Sequence, residues 1–383
     1  MVSPRALKTS TFGDEIKNAG VPSKIIAIAL KDRAAIVLGG HRADMALWMD
    51  YKNFQWQTSS YYGPAIPSWA AMVNAELRVA DRQEKTWKGQ KIRLLSKQGL
   101  SLSYGVDVTF DLAEKALSAE KMGQGDGTDL LAISLSSHDM LGHRFGPNSQ
   151  EIQDLTVYED QRLAQFFSKL KKHLGSLDKV TIVLTADHGI APTVEYAAKA
   201  KFEAGRLDYL QMYRAVNESL DKKFGAPKNK EWIVASKDLN FYLNRETLKE
   251  KDLPSAAVEA EVKKVLSALD GVLTVVTKSE VEKGLYPPGE LGQQVQRQYV
   301  PGKSGDVMLI PRPFFMEKDD NVVNHLTGFS YDRTVPLVFF GRKFKAGVYS
   351  QTAKVIDIAP TLTFSVGVLP PATNEGKVLP IFE

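Results

Sequence analysis

Cysteine is absent from this 383-residue chain, which rules out a disulfide framework, a thiolate metal site and a cysteine nucleophile. Any metal ion would therefore be held by imidazole and carboxylate. Histidine is scarce, at six residues, so where those six fall carries weight. No apolar run approaches the ~20 residues of a membrane-spanning helix. The opening residues, Met-Val-Ser-Pro-Arg-Ala-Leu-Lys-Thr-Ser, hold no apolar core of a secretory signal. Neither sign of charge dominates: the net charge is +4, with 25% charged residues spread without long runs. That balance gives no case for nucleic acid or an anionic membrane surface as partner. There is no internal repeat and no low-complexity tract. What the chain does have is 43% hydrophobic residues, over a length that can bury one large α/β domain or a domain with a cap.

Apolar, partly β-branched runs at Lys24–Leu30, Leu130–Leu135, Val180–Thr185 and Val335–Phe340 predict buried strands. Between the second and third, apolar residues at helical spacing predict a long helix over Ser149–Leu174. This strand–helix–strand order reads as a βαβ unit. A further helix is predicted over Ile356–Val366, and Ser10 or Thr11 is placed to cap one near Asp14. The fold class is α/β, with a mostly parallel central sheet and helices on both faces. Residues 196–299 differ in character: they are rich in Lys and Glu, with a helical pattern at Val258–Leu269 and a Pro-Pro-Gly turn at Pro287–Gly289. They read as a cap or insertion, leaving 1–195 and 300–383 as the core.

Five candidate metal ligands fall in three places. Asp139 and His143 lie in Ser137–Pro147, Asp187 and His188 in Val183–Gly189, and His325 in Asn324–Gly328. Imidazole with carboxylate is the donor mixture of a catalytic zinc site. Asp139 and His143 are four apart and chelate from one side of a helical turn, although Gly142, Gly146 and Pro147 describe a tight loop there. Asp187 and His188 follow a buried strand, where open α/β sheets build sites. Adjacent side chains at a strand end diverge and suit bridging between two ions. Singly, each motif has a plainer reading as a surface Asp or a satisfied His, but the three together point to metal. His138 falls off the chelating side, and His41 and His173 are read as non-ligands.

The motifs Asp139–Ser149, Thr185–Gly189, His325 and Asp357–Thr361, in this order, resemble those of the alkaline phosphatase superfamily, in its type I phosphodiesterase/nucleotide pyrophosphatase-like branch. Lys31-Asp32-Arg33 after the Lys24–Leu30 strand is similar to the branch's phosphate-monoesterase subgroup. The resemblance covers nearly the whole chain. It implies that Asp139, His143 and His325 hold one zinc ion, that Asp187 and His188 help to hold a second, and that Lys31 and Arg33 sit over the phosphoryl group. It implies small-molecule phosphate monoesters as substrates and a periplasmic or secreted location. Two close cations would clamp the attacking and leaving oxygens while Lys and Arg neutralise the equatorial ones.

In the family pattern a Thr or Ser nucleophile precedes the Lys-x-Arg strand, and one more Asp ligand follows an earlier strand. Neither is found in Met1–Ser23, where Thr9, Ser10 and Thr11 read as helix-capping residues. The expectation is an N-terminally truncated catalytic domain without its first βα unit, holding one complete zinc ligand set. Two other readings stand beside the monoesterase: a phosphodiesterase or nucleotide pyrophosphatase on the same scaffold, and a metal-binding remnant without catalysis.

Overall fold

A computed structural model describes residues 2–20, 22–82, 85–228 and 231–383. The chain forms two compact units. The first comprises residues 1–141, 150–187 and 336–383, and the second 142–149 and 188–335.

The first unit is built on the Lys24–Leu30 run, a strand over Ile25–Ala29 with every residue buried. A stretch with no polar alternation suits a strand covered on both faces. It pairs in parallel with Met45–Asp50 on one side and Leu130–Ser134 on the other. Gln55–Gln57 adds antiparallel at the far edge, so the sheet is mixed and mostly parallel, as the apolar runs predict. The helix Asp32–Gly39 leaves the carboxyl end of the first strand and packs on it. The helix Ser103–Ala119 buries Val106, Phe110 and Leu112 and packs on the same sheet, and the 25-residue helix Gln150–Leu174 packs on that helix. These two helices are pinned by Arg162, only 5% exposed, whose guanidinium reaches Asp111 and Glu114 at 2.8 Å and Asp107 at 3.4 Å. Thr11 closes a capping box with Asp14 at the start of Phe12–Asn18.

The strand–helix–strand reading of residues 130–185 needs correction. Ile182–Thr185 does not hydrogen-bond to Leu130–Ser134 among the described residues; it pairs antiparallel with Leu337–Phe340. Leu130–Ser134, apolar as it is, remains only half-buried. The two-stranded ribbon likewise leaves Leu184, Val338 and Phe340 exposed by 40–53%.

The second unit has its own sheet of four antiparallel strands, ordered Val272–Thr277, Val307–Pro311, Asn240–Leu243 and Ile233–Lys237. Helices Tyr209–Phe224 and Ser255–Ser267 pack together and close a core that holds Trp232, Phe241, Val258 and Val262. Asp208 starts the first of these helices by accepting from the Leu210 and Gln211 amides, and Gly225 ends it at φ +78°. Phe315–Glu317 and Gly205–Leu207 pair in parallel beside it. The unit extends beyond 196–299 on both sides and takes in His188 and His325. No helix among the described residues is long and apolar enough to cross a membrane.

Candidate metal centre

In the first unit the strand Ile25–Ala29 runs out at Leu30, and Lys31 is the residue that caps the next helix from an extended backbone. Its ammonium forms an ion pair with Asp139, which lies in the first turn of the helix Ser136–Phe145 after the neighbouring strand. Two adjacent parallel strands thus deliver a cation and a carboxylate to the same sheet end, where such sheets place their chemistry. Arg33 is exposed and makes no ion pair among the described residues. Tyr51, just past Met45–Asp50, was not anticipated from the sequence. Its hydroxyl reaches the Met140 sulfur at 3.6 Å, and burial, with the charges of Asp32 and Asp139, pushes its pKa up to about 12. The phenol therefore stays neutral in alkaline solution where a free one ionises. No local pattern marks Tyr51; only its place at the end of the next parallel strand does.

Asp139 and His143 occupy the first and last turns of Ser136–Phe145, so the tight loop expected here is a helix. Gly142 lies inside it, and Gly146 ends it at φ +81° with Pro147 following. His138, beside Asp139, is engaged by Glu159 at 2.8 Å, a hydrogen bond that raises the imidazole pKa. His41 lies 3.3 Å from Asp14, and His173 donates to the Met122 carbonyl at 2.9 Å. Asp187 is exposed at the end of the strand Ile182–Thr185.

The available hydroxyls near the N-terminus are all engaged. Thr11 accepts from the Asp14 amide at 3.2 Å, Ser10 donates to Glu15, and Thr9 contacts Thr373.

The second unit brings together His143, His188 and His325. Nδ1 of His143 lies 2.8 Å from the Val323 carbonyl, and Nδ1 of His188 lies 2.8 Å from the Gly189 carbonyl. A carbonyl only accepts, so each Nδ1 carries the proton and each Nε2 presents a lone pair. Nε2 of His143 faces Nε2 of His325 at 3.2 Å, and the rings of His188 and His325 stack with centroids 3.3 Å apart. Two imidazole lone pairs this close repel unless a proton or a cation is shared between them. A carbonyl-held Nδ1 that leaves Nε2 available is how proteins present histidine to a transition metal, and His188 and His325 belong to the side chains whose ligand atoms lie close enough to share an ion.

The model of the family described as "Type I phosphodiesterase / nucleotide pyrophosphatase" matches residues 5–324. A protein of Myroides odoratus named "Calcium-transporting ATPase" is 32% identical over 94% of this chain and 72% of its own length. Alkaline phosphatase PafA of Elizabethkingia meningoseptica is 30% identical over 98% of this chain and 74% of its own. The crystal structure of wild-type alkaline phosphatase PafA superposes with a TM-score of 0.89 at 28% identity, covering 100% of this chain and 79% of that one. The chain therefore belongs to the type I phosphodiesterase/nucleotide pyrophosphatase family of phosphoric ester hydrolases, within the alkaline phosphatase superfamily.

Proposed function

We propose that this phosphoric ester hydrolase acts on small-molecule phosphate monoesters, as a metal-dependent alkaline phosphatase. The observation that carries this reading is the Lys31–Asp139 pair in the first unit. It supports an ammonium at the carboxyl end of the central strand, where the motif Lys31-Asp32-Arg33 calls for a clamp on a phosphoryl group. A monoester dianion carries one more negative charge than a diester, so the two cations Lys31 and Arg33 favour the monoester. On binding, the phosphoryl oxygens compete with the Asp139 carboxylate for the Lys31 ammonium, and Arg33 adds a second cation from its exposed position. Charge-assisted contacts of this kind are the strong ones.

Within the second unit His188 and His325 provide two imidazoles able to help bind a metal ion. The finer assignment is part of the proposal: Asp139, His143 and His325 to one zinc ion, Asp187 and His188 to a second. Zinc ions held there would supply charge stabilisation to the attacking and leaving oxygens. No Thr or Ser of this chain is assigned as nucleophile. Residues 196–299 are proposed as the cap, and the family points to a periplasmic or secreted setting.

Rates of the zinc-supplemented chain on p-nitrophenyl phosphate and bis-p-nitrophenyl phosphate, with and without Lys31→Ala, test the reading. Preference for the monoester that Lys31→Ala erodes supports it. Preference for the diester in the unmodified chain replaces it with the phosphodiesterase reading. Zinc bound without turnover of either ester supports the metal-binding chain without catalysis.

A further inference from the structure

His188 and His325 lie on loops of the second unit that belong to no helix or strand, so regular secondary structure does not set their spacing. The short helix Ser330–Arg333 does, through one residue. Asp332 is 3% exposed. Its Oδ2 accepts from the Thr327 amide at 2.9 Å and from the Thr327 hydroxyl at 2.6 Å, two residues beyond His325. Its backbone carbonyl accepts from the Gly189 amide at 2.8 Å, one residue beyond His188. The approach is so close that a Cβ on Gly189 would run into the carbonyl of Tyr331. Behind these contacts Ile190 and Ala191, Val322 and Val323, and Tyr331 pack into one apolar cluster. The Tyr331 hydroxyl accepts from the Phe314 amide at 3.0 Å, where Phe314 is held at a strained φ of +65°. Burial pushes the Asp332 carboxyl above its ordinary range, against the Thr327 hydrogen bonds and the nearby His188 imidazole.

We propose that Asp332 is a positioning residue for the imidazole cluster. Its carboxylate holds the His325 loop and its carbonyl holds the His188 loop, so both imidazoles are set for a divalent transition metal before the ion arrives. This deepens the metal reading above and rests on it. A group hydrogen-bonded directly to a metal ligand is worth about 10–100-fold in metal affinity, and Asp332, which acts one step further out through Thr327 and Gly189, falls at or below the low end of that range. An Asp332 that merely supported the fold would stabilise the unit without tuning the donors.

Cobalt(II) titration followed by visible absorption decides between these, run on the full chain and on Asp332→Asn, Thr327→Val and Thr327→Ser. Amide hydrogen exchange on the same proteins without metal is the second measurement. Asp332→Asn is expected to weaken cobalt binding about 3–10-fold and to shift the ligand-field bands. Thr327→Val should lose about 3–10-fold and Thr327→Ser should restore it, since only the hydroxyl donor is removed and returned. Without metal, exchange at Thr327, whose amide the carboxylate accepts from, should quicken in Asp332→Asn. Cobalt affinity within threefold of the parent and unmoved bands in Asp332→Asn would overturn the proposal. If that variant does not fold, the Thr327 pair decides, and equal affinity in Val and Ser overturns it. If the parent takes up no cobalt, the metal reading falls by itself. Exchange then judges Asp332, and unchanged protection at the Thr327 amide refutes it.

Discussion

Glu261 in the second unit offers a stability prediction whose size follows from its surroundings. The residue is 3% exposed on the inner side of the helix Ser255–Ser267. Lys223 approaches it at 2.6 Å, the Ser219 hydroxyl at 2.9 Å and Lys264 at 3.3 Å. The Lys223 hydrogen bond, opposed by burial and assisted by Ser219 and Lys264, holds its pKa down to about 2, against 4.5 for an unperturbed carboxyl. At about 1.4 kcal/mol per unit, that difference caps its contribution at roughly 3.5 kcal/mol. The side chains of Lys223 and Lys264 are 49% and 77% exposed, and solvent screens their charge. The expected contribution is therefore about 1–2 kcal/mol. A depressed carboxylate stabilises the folded state above its unfolded pKa, and the effect fades as pH falls from 4.5 towards 2. Glu261→Gln should cost about 1–2 kcal/mol at pH 7 and progressively less towards pH 3. Urea unfolding of parent and variant, followed through Trp232 in the core of the same unit, measures both values. Equal destabilisation at pH 7 and pH 3 would refute the electrostatic reasoning and leave only packing.

Further expectations concern backbone, tyrosine and metal. Gly146→Ala places a side chain at φ +81° and against Thr193, so it should destabilise the chain by about 1–3 kcal/mol, read as a lower urea midpoint. Tyr51 and Tyr104, each pushed to about 12 chiefly by burial, contribute stability that is whole below pH 10 and lost between pH 10 and 12. Absorbance at 295 nm should show the delayed ionisation, and Tyr51→Phe should flatten the alkaline fall in the urea midpoint. Zinc at a thousand times its dissociation constant should raise stability by about 4 kcal/mol, and EDTA should reverse that gain in a thermal melt. A melt indifferent to both would count against a folded-state metal site.

The apolar runs located the strands to within a residue or two because apolar, β-branched runs carry their signal locally. Lys24–Leu30 became Ile25–Ala29, and Ser149–Leu174 became Gln150–Leu174. Strand partners were not legible. Ile182–Thr185 pairs antiparallel with Leu337–Phe340, a choice made by tertiary packing across a long stretch of chain. The motif Ser137–Pro147 misled locally, since three turn-forming residues suggested a loop. The glycine at 142 is instead absorbed within a helix, and the one at 146 ends it. Within the site, histidines in short motifs were readable, and the structure draws His143, His188 and His325 together. Tyr51 and Asp332 were invisible because nothing in their flanking residues distinguishes them. Their significance comes from what folds against them.

The half-buried strand Leu130–Ser134 and the ribbon of Ile182–Thr185 with Leu337–Phe340 bear on how this protein behaves in bulk. Apolar strands with exposed side chains are templates for pairing between molecules. A net charge of +4 over 383 residues supplies little mutual repulsion to oppose it. Light scattering should therefore rise with protein concentration sooner than for a chain whose sheets are fully sheathed. Lys or Glu at Val338 and Phe340 should delay that rise while leaving the melting transition of the second unit where it was.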